Sequence, residues 1–444
     1  MRRRTVLLGV LSGAMGDTLA QGRSQSTARV EVDWQRSIAR TTPNTFGSND
    51  YEITRPQAAA DSTYQRLIAN LGVRFIRIHH AELCDRWTNA QTRSWDISKI
   101  KGGYDVSYPH RPTIVQNIPG WAPWMRRTPE GLLDPTEIDR YAAFCADLVR
   151  VINQRLRYQV KLWEPLNEQD VAYQKAGKLE QLWLVYNRAA AAMKAVDPTI
   201  QVGGPVLTWD NSDRLTAFLR TSAPHVDFIS WHRYASGNVN DSTETLMAAT
   251  LNYGQQVRRF REIAFQSSAG RTIPLFLSEY NLNYSWQSGE TRHHTHIGAV
   301  WFASVLKHLA EAGIEMAASW HLKDQIYGLI DAANRPRPAA TVFAWANQYL
   351  VGTVLATQSS QAVVEAIAVQ QSNDDRSLLL LNKSARAVPI QLQMSPIAQR
   401  LPLMLRILDA DGVKQQTLRS LEKLPSVLAP YSISLLQFPR VTST

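Results

Sequence analysis

Val160-Lys-Leu-Trp-Glu-Pro-Leu-Asn-Glu168 is a short apolar run that stops at a carboxylate, and Ile273-Pro-Leu-Phe-Leu-Ser-Glu279 repeats the arrangement further along the chain. Each run has the length of a buried strand and is too short for an ordinary helix. Asn167 directly precedes Glu168, and Tyr280-Asn281 directly follow Glu279. Carboxylates at the ends of two parallel strands can face one substrate bond, one as acid/base and the other as nucleophile.

Strand-like runs alternate with amphipathic helical stretches on both sides of these segments, over residues 43–350. The expected strands are Asn44–Gly47, Phe75–His79, Thr113–Asn117, Val160–Trp163, Gln201–Gly204, Val226–Trp231, Leu275–Ser278 and Met316–Trp320. Three helices stand out between them. Asp134-Pro135-Thr136-Glu137 supplies an N-cap, a proline at the first helical position and an acid in the first turn, for a helix running to Val149. Leu179–Val196 is closed by Asp197-Pro198, and Arg292–Ala312 by Gly313. Eight strands alternating with helices predict an α/β fold, a (β/α)8 TIM barrel, with its site at the carboxyl ends of the strands. No GxGxxG turn follows the first strand, which argues against a dinucleotide fold.

After residue 351 the texture changes to short alternating runs at Ala362–Val369, Ser377–Leu381, Val388–Met394, Leu403–Leu408 and Tyr431–Phe438, with turns at Ser372–Asp375, Asn382–Ser384 and Asp409–Gly412. This predicts a C-terminal β-sandwich domain over 351–444. Residues 29–42 open on the alternating Arg29-Val-Glu-Val-Asp33 and are expected to add an N-terminal strand to it. Residues 1–20 read as an export signal: Arg2-Arg3-Arg4, then apolar Val6–Met15, then Thr18-Leu19-Ala20 before Gln21. Arg3-Arg4 also fits a twin-arginine signal, so both export routes stay open. The expected location is periplasmic or extracellular, with no bilayer span in the mature chain.

The chain has 444 residues, of which 44% are hydrophobic and 19% charged, enough for one large and one smaller core. Its net charge of +10 is scattered, with no basic run that would grip nucleic acid. Cys84 and Cys145 form neither a disulfide framework nor a metal pattern. His293-His294-Thr-His296 invites a metal reading, but no HExxH pattern or cysteine partner accompanies it. No metal or cofactor is called for.

The polar and aromatic residues at the predicted strand ends are Arg77 and His79 on the second strand, Asn117 on the third, Asn167 and Glu168 on the fourth, His232 and Tyr234 on the sixth, Glu279 on the seventh and Trp320 on the eighth. Trp163-Glu-Pro-Leu-Asn167-Glu168 and Leu277-Ser-Glu279-Tyr resemble the retaining glycoside hydrolases of clan A, and within it glycoside hydrolase family 39 and its relatives. Phe75-Ile-Arg77-Ile-His79, Gly203-Gly204-Pro205, Asp227–Tyr234 and the final Leu428-Ala-Pro430-Tyr431-Ser carry the resemblance along nearly the whole mature chain. It implies an exported glycosidase that cuts a β-linked poly- or oligosaccharide through a glycosyl-enzyme. Glu279 would be the nucleophile and Glu168 the acid/base, roughly 5–5.5 Å apart as retention requires. Arg77 and Tyr234 would hold Glu279, and Asn167 the sugar 2-hydroxyl. His79 and His232 would support the site or touch substrate. Trp320 would floor it, with Trp121, Trp124 and Trp286 extending the floor.

One departure stands out. Relatives place proline directly after the acid/base, whereas here Pro165 precedes Glu168 and Gln169-Asp170 follow it. Glu164 is a rival carboxylate without a preceding Asn. A catalytically silent carbohydrate-binding protein and a transglycosylase use the same barrel, so both stand as alternatives. The sugar and its linkage are not written in these motifs, and endo or exo action rests on the loops Ala81–Tyr108 and Tyr284–Thr291.

Overall fold

The computed structural model describes residues 26–286, 289–396 and 401–440; the expected export signal at 1–20 lies outside them. Eight parallel strands, Gly47–Asp50, Phe75–Ile78, Thr113–Asn117, Leu162–Glu164, Gln201–Leu207, Phe228–Ser236, Leu275–Asn283 and Met316–Ser319, close into a barrel. The eighth pairs with the first through Ala318 opposite Gly47 and Ser319 opposite Ser48. At the amino ends of the strands the interior is filled by Phe75, Val115, Leu162, Phe228, Phe276, Met316 and Ala318. Gly47 is required there, because a Cβ would sit 2.3 Å from a Phe75 ring carbon. At the carboxyl ends the interior turns polar, with Asn49, Arg77, Asn117, Glu164, His232 and Glu279 all buried.

The first strand lies three residues later than the sequence predicts. Thr42-Pro43-Asn44-Thr45 forms a capped turn instead, with Thr42 Oγ1 accepting from Asn44 N at 3.2 Å and Thr42 N donating to Thr45 Oγ1 at 3.0 Å. The expected helix from Arg292 breaks at Thr295, whose extended backbone separates a single turn over Arg292–His294 from the helix His296–Glu311. The helix Leu179–Val196 matches its predicted bounds. Asp134 accepts from Thr136 N and opens a turn that leads into Ile138–Val149. No helix among the described residues is long and apolar enough to cross a membrane.

The second domain is one nine-stranded sheet in the order Gly412–Leu418, Leu403–Asp409, Ser432–Phe438, Arg376–Asn382, Val364–Gln370, Thr353–Ser359, Ala28–Arg40, Val388–Met394, Val427–Leu428. Strands from both ends of this order share one core, as with Leu403, Leu405 and Leu418 beside Val388, Ile390 and Leu428, so the sheet doubles over into a sandwich. Ala28–Arg40 lies antiparallel to Thr353–Ser359 and parallel to Val388–Met394. Thr353–Ser359 and Gly412–Leu418 are strands beyond those read from the sequence.

The sandwich grips the barrel across its inner strands. Leu378 and Leu380 face the sandwich core, while Leu379 and Leu381 pack into the barrel's core. Burial on both faces is why this strand reads as an unbroken leucine run. A charged cluster lies in the same interface. Glu365 accepts from Ser304 Oγ at 2.6 Å and meets Lys383 Nζ at 2.6 Å and His308 Nε2 at 2.9 Å. Lys383 also donates to Met247 O and Thr250 Oγ1. Burial alone would raise the Glu365 pKa, but the His308 hydrogen bond and the charges of His308, Lys383 and Lys307 hold it at about 2.

Candidate active site

Arg77 organises the rim. It is fully buried on the second strand, which favours a guanidinium only where every donor is met. Its Nε donates to Glu164 Oε2 at 2.6 Å, Nη1 to Glu279 Oε1 at 2.8 Å and Asn49 Oδ1 at 3.1 Å, and Nη2 to Asn167 Oδ1 at 2.7 Å. One fork thus ties together strands one, two, four and seven. Asn117 Nδ2 donates to Glu164 Oε2 and to Leu166 O, and Asn117 Oδ1 meets His79 Nδ1 at 2.8 Å. Glu164, the rival carboxylate, is therefore spent as an internal counter-charge with no exposure.

Glu279 and Glu168 sit in different surroundings. Tyr234 Oη donates to Glu279 Oε2 at 2.9 Å, opposite the Arg77 contact. Burial raises the Glu279 pKa, Glu168 adds to that rise, and His232, Arg77 and Tyr234 pull it back. Glu168 receives one contact, from His232 Nδ1 at 2.7 Å, and leaves 37% of its side chain open to the pocket. Burial, then the charge of Asp170, raises its pKa to about 7 against the pull of Arg77. With two carboxyls this close, hydrogen bonds and cations that favour the charged form separate their roles. Arg77 and Tyr234 supply such donors to Glu279, and Glu168 has neither. His232 stands between them, its Nε2 3.4 Å from Glu279 Oε1. Burial lowers its pKa to about 4, so it is neutral near pH 7. Burial, with Arg77 beside it, likewise drives His79 well down.

Among the histidine, cysteine, aspartate and glutamate side chains of the described residues, Glu168, His232 and Glu279 form a trio whose ligating atoms all lie within 4.8 Å of one another. One carboxyl oxygen of Glu168 thus lies within 4.8 Å of one of Glu279, a proximity in keeping with the roughly 5–5.5 Å of a retaining pair. The Glu168 backbone is in the left-handed region, at φ 51°, a conformation that costs of order 1–3 kcal/mol and is held by surrounding structure. Its N–H donates to Val206 O at 3.0 Å, which pins it.

A model of the Glycosyl hydrolases family 39 matches residues 146–343, the stretch that carries both glutamates. A β-xylosidase of Geobacillus stearothermophilus is 26% identical over 242 residues, 47% of each chain. A β-xylosidase of Caldicellulosiruptor saccharolyticus is 27% identical over 135 residues, 29% of this chain and 26% of that one. The chain is family 39-like. It spans half or less of the length of these curated relatives. In fold, a GH39 β-xylosidase from Caulobacter crescentus superposes with a TM-score of 0.66 at 15% identity, covering 93% of this chain and all of the other.

The pocket of this family 39-like barrel, about 260 Å³, is lined by Tyr51, His79, Ala81, Asn167, Glu168, Thr208, Trp209, Tyr234, Glu279, Tyr284, Trp286, Trp320 and Tyr327. Arg77, His232 and Asn117 lie behind this lining. Trp124 does not belong to it: the ring packs edge-on against Phe144 at 5.9 Å. Trp121 is buried against Tyr141 and Tyr173. Both follow the third strand, but their loop folds down onto the helix Ile138–Val149, where apolar contacts outweigh exposure at the rim. His293 is buried beneath Tyr327, with ring centroids 5.4 Å apart, and the three neighbouring histidines form no shared donor group.

Asn49, Tyr51, Thr208, Trp209, Tyr284 and Tyr327 are site residues that the sequence reading passed over. Trp209 carried a signal: the fifth strand runs on to Leu207, two residues before it, rather than ending at Gly204.

Proposed function

We propose that the chain is a retaining glycosidase acting on a β-linked sugar. The proximity of two carboxyls in unequal surroundings, one rich in donors and one holding its proton, carries this reading. A Glu279 oxygen attacks the anomeric carbon as the glycosidic C–O bond breaks, and the leaving oxygen takes the Glu168 proton. The resulting ester is then cut by water, whose proton returns to Glu168. Asn167 Oδ1 is spent on Arg77, so its amide N–H groups are free to donate to a sugar hydroxyl. Trp320, buried beside His79 at 5.4 Å, floors the attacked ring.

β-Xylosides are the first substrates to test, because both curated relatives are described as β-xylosidases. Proton NMR of the first sugar released from a panel of aryl β-glycosides, xyloside included, should show the β-anomer; an α-anomer would sink the reading. Glu279→Ala should lose on the order of 10⁴-fold or more in turnover, with azide restoring part of it as an α-glycosyl azide. Binding across the panel without release would favour a silent carbohydrate-binding barrel. Export belongs to the same proposal, supported by Arg2-Arg3-Arg4 and Val6–Met15. Recovery of a protein beginning at Gln21 from the exported fraction would support it.

A further inference from the structure

We infer that Trp209 and Tyr284 form the subsite for the departing sugar; this rests on the glycosidase reading above. The pocket's aromatic wall is two groups. In one, Trp320 lies 5.5 Å from Tyr51 and 6.4 Å from Trp286, and Trp286 lies 5.0 Å from Tyr327. In the other, Trp209 and Tyr284 meet edge to face at 4.9 Å, and Tyr284 lies 6.3 Å from Tyr234. No ring contact among the described residues joins the Trp209–Tyr284 pair to the first group.

Chemistry tells the two apart. The first group borders the nucleophile: His79, 5.4 Å from Trp320, has its Nε2 3.8 Å from Glu279 Oε1. The second group reaches Tyr234, the hydrogen-bond partner of Glu279, through Tyr284, while its Trp209 end is tied to the segment of the acid. Glu168 N donates to Val206 O, and Asp170 Oδ1 accepts from Thr208 N at 2.9 Å and Thr208 Oγ1 at 2.7 Å. The chain that leads into Trp209 is therefore fastened to the chain that leads out of Glu168. In a double displacement the attacked ring lies over the nucleophile, while the leaving oxygen meets the acid's proton. The ring attached to that oxygen then lies on the Glu168 side, over Trp209 and Tyr284.

The platform is built rather than incidental. Tyr284 is 47% exposed, yet its ring rests on the bare backbone of Gly237, where a Cβ would fall 1.9 Å from Tyr284 Cζ. Asp170 is buried and also receives Arg214. It belongs to the Gln169-Asp170 pair that stands where the resemblance leads one to expect proline. Asp170, one residue beyond the position of that departure, fastens this segment. A half-buried indole and an exposed phenol ring on the pocket wall offer apolar faces, which suit the C–H face of a pyranose.

The test compares two substrates of the sugar that the aryl-glycoside panel selects: its β-1,4-linked disaccharide, and its β-glycosyl fluoride, whose leaving atom is too small to reach the platform. Trp209→Ala should lower the ratio of kcat/KM for disaccharide over fluoride about tenfold, the scale of one aromatic contact. Gly237→Ala, which displaces Tyr284 while keeping both rings, should lower the same ratio, and Trp209→Phe should restore most of it. A wild-type enzyme that turns over both substrates, with a ratio unmoved by Trp209→Ala and Gly237→Ala, overturns the subsite and leaves the glycosidase reading standing. A panel on which the wild type releases nothing overturns both.

Discussion

Glu168 and Glu365 are both carboxylates set against a histidine, at 2.7 Å from His232 Nδ1 and 2.9 Å from His308 Nε2. They end on opposite sides of the ordinary carboxylate range, at about 7 and about 2. Burial pushes both upward, so the difference comes from what faces them. Glu365 is pulled down first by the hydrogen bond and charge of His308, then by Lys383 at 2.6 Å and by Lys307. Glu168 faces the negative charge of Asp170, and Arg77 has already committed its donors to Glu164, Glu279, Asn49 and Asn167. The interface cluster sets its carboxylate against cations, whereas the site sets Glu164, Glu168 and Glu279 around the single guanidinium of Arg77, a shortage that favours a proton on Glu168.

The largest effect that tests this contrast is on stability. Lys383→Met removes the closest cation from buried Glu365, and breaking such a pair costs about 3–5 kcal/mol. Denaturant unfolding at pH 7 should show that loss, and a variant as stable as the wild type would break the comparison. The pH dependence carries the sign. A depressed carboxyl stabilises fully above its unfolded pKa, and that contribution fades as pH falls toward about 2. The penalty of Lys383→Met should therefore shrink in acid.

Glu168 runs the other way. Its pKa is raised, so ionising it costs stability progressively as pH climbs from the ordinary carboxylate range through about 7. Glu168→Gln should then melt higher than the wild type at pH 8 and equally at pH 4, in paired thermal scans. In the wild type kcat/KM should fall above about pH 7, as the acid loses its proton. A rate that keeps rising beyond pH 8 would remove Glu168 from the acid role. The smallest expected effect is Asp170→Asn. Removing the neighbouring charge should move that alkaline limb to lower pH, read from the same rate profile.

Much of the barrel is legible because its strands are short apolar runs that end in polar residues. The first strand escapes that rule. Gly47-Ser-Asn-Asp50 has no apolar residue to mark it, and it is held by hydrogen bonds such as Asn49 Nδ2 to Ser278 O at 2.8 Å. The same blindness hid Asn49 and Tyr51. The sixth strand was expected to end at Trp231 but continues to Ser236, which takes Tyr234 into the sheet. Among the tryptophans, residue type says nothing of direction: Trp124 turns onto Phe144 and Trp209 into the pocket.

The sequence alone determined the alternation of strand and helix, the two glutamates that follow apolar runs and the change of texture near residue 351, all of which are local in the chain; that Glu279 lies inside its strand Leu275–Asn283 and Glu168 four residues beyond Leu162–Glu164 came from the structure. Proton placement was decided only by the tertiary structure. It depends on Arg77 meeting Glu279 from 202 residues away, on Asp170 beside Glu168 and on Lys383 reaching from the sandwich into the barrel. Charge and desolvation act through space, and only the closed barrel brings those groups within their range.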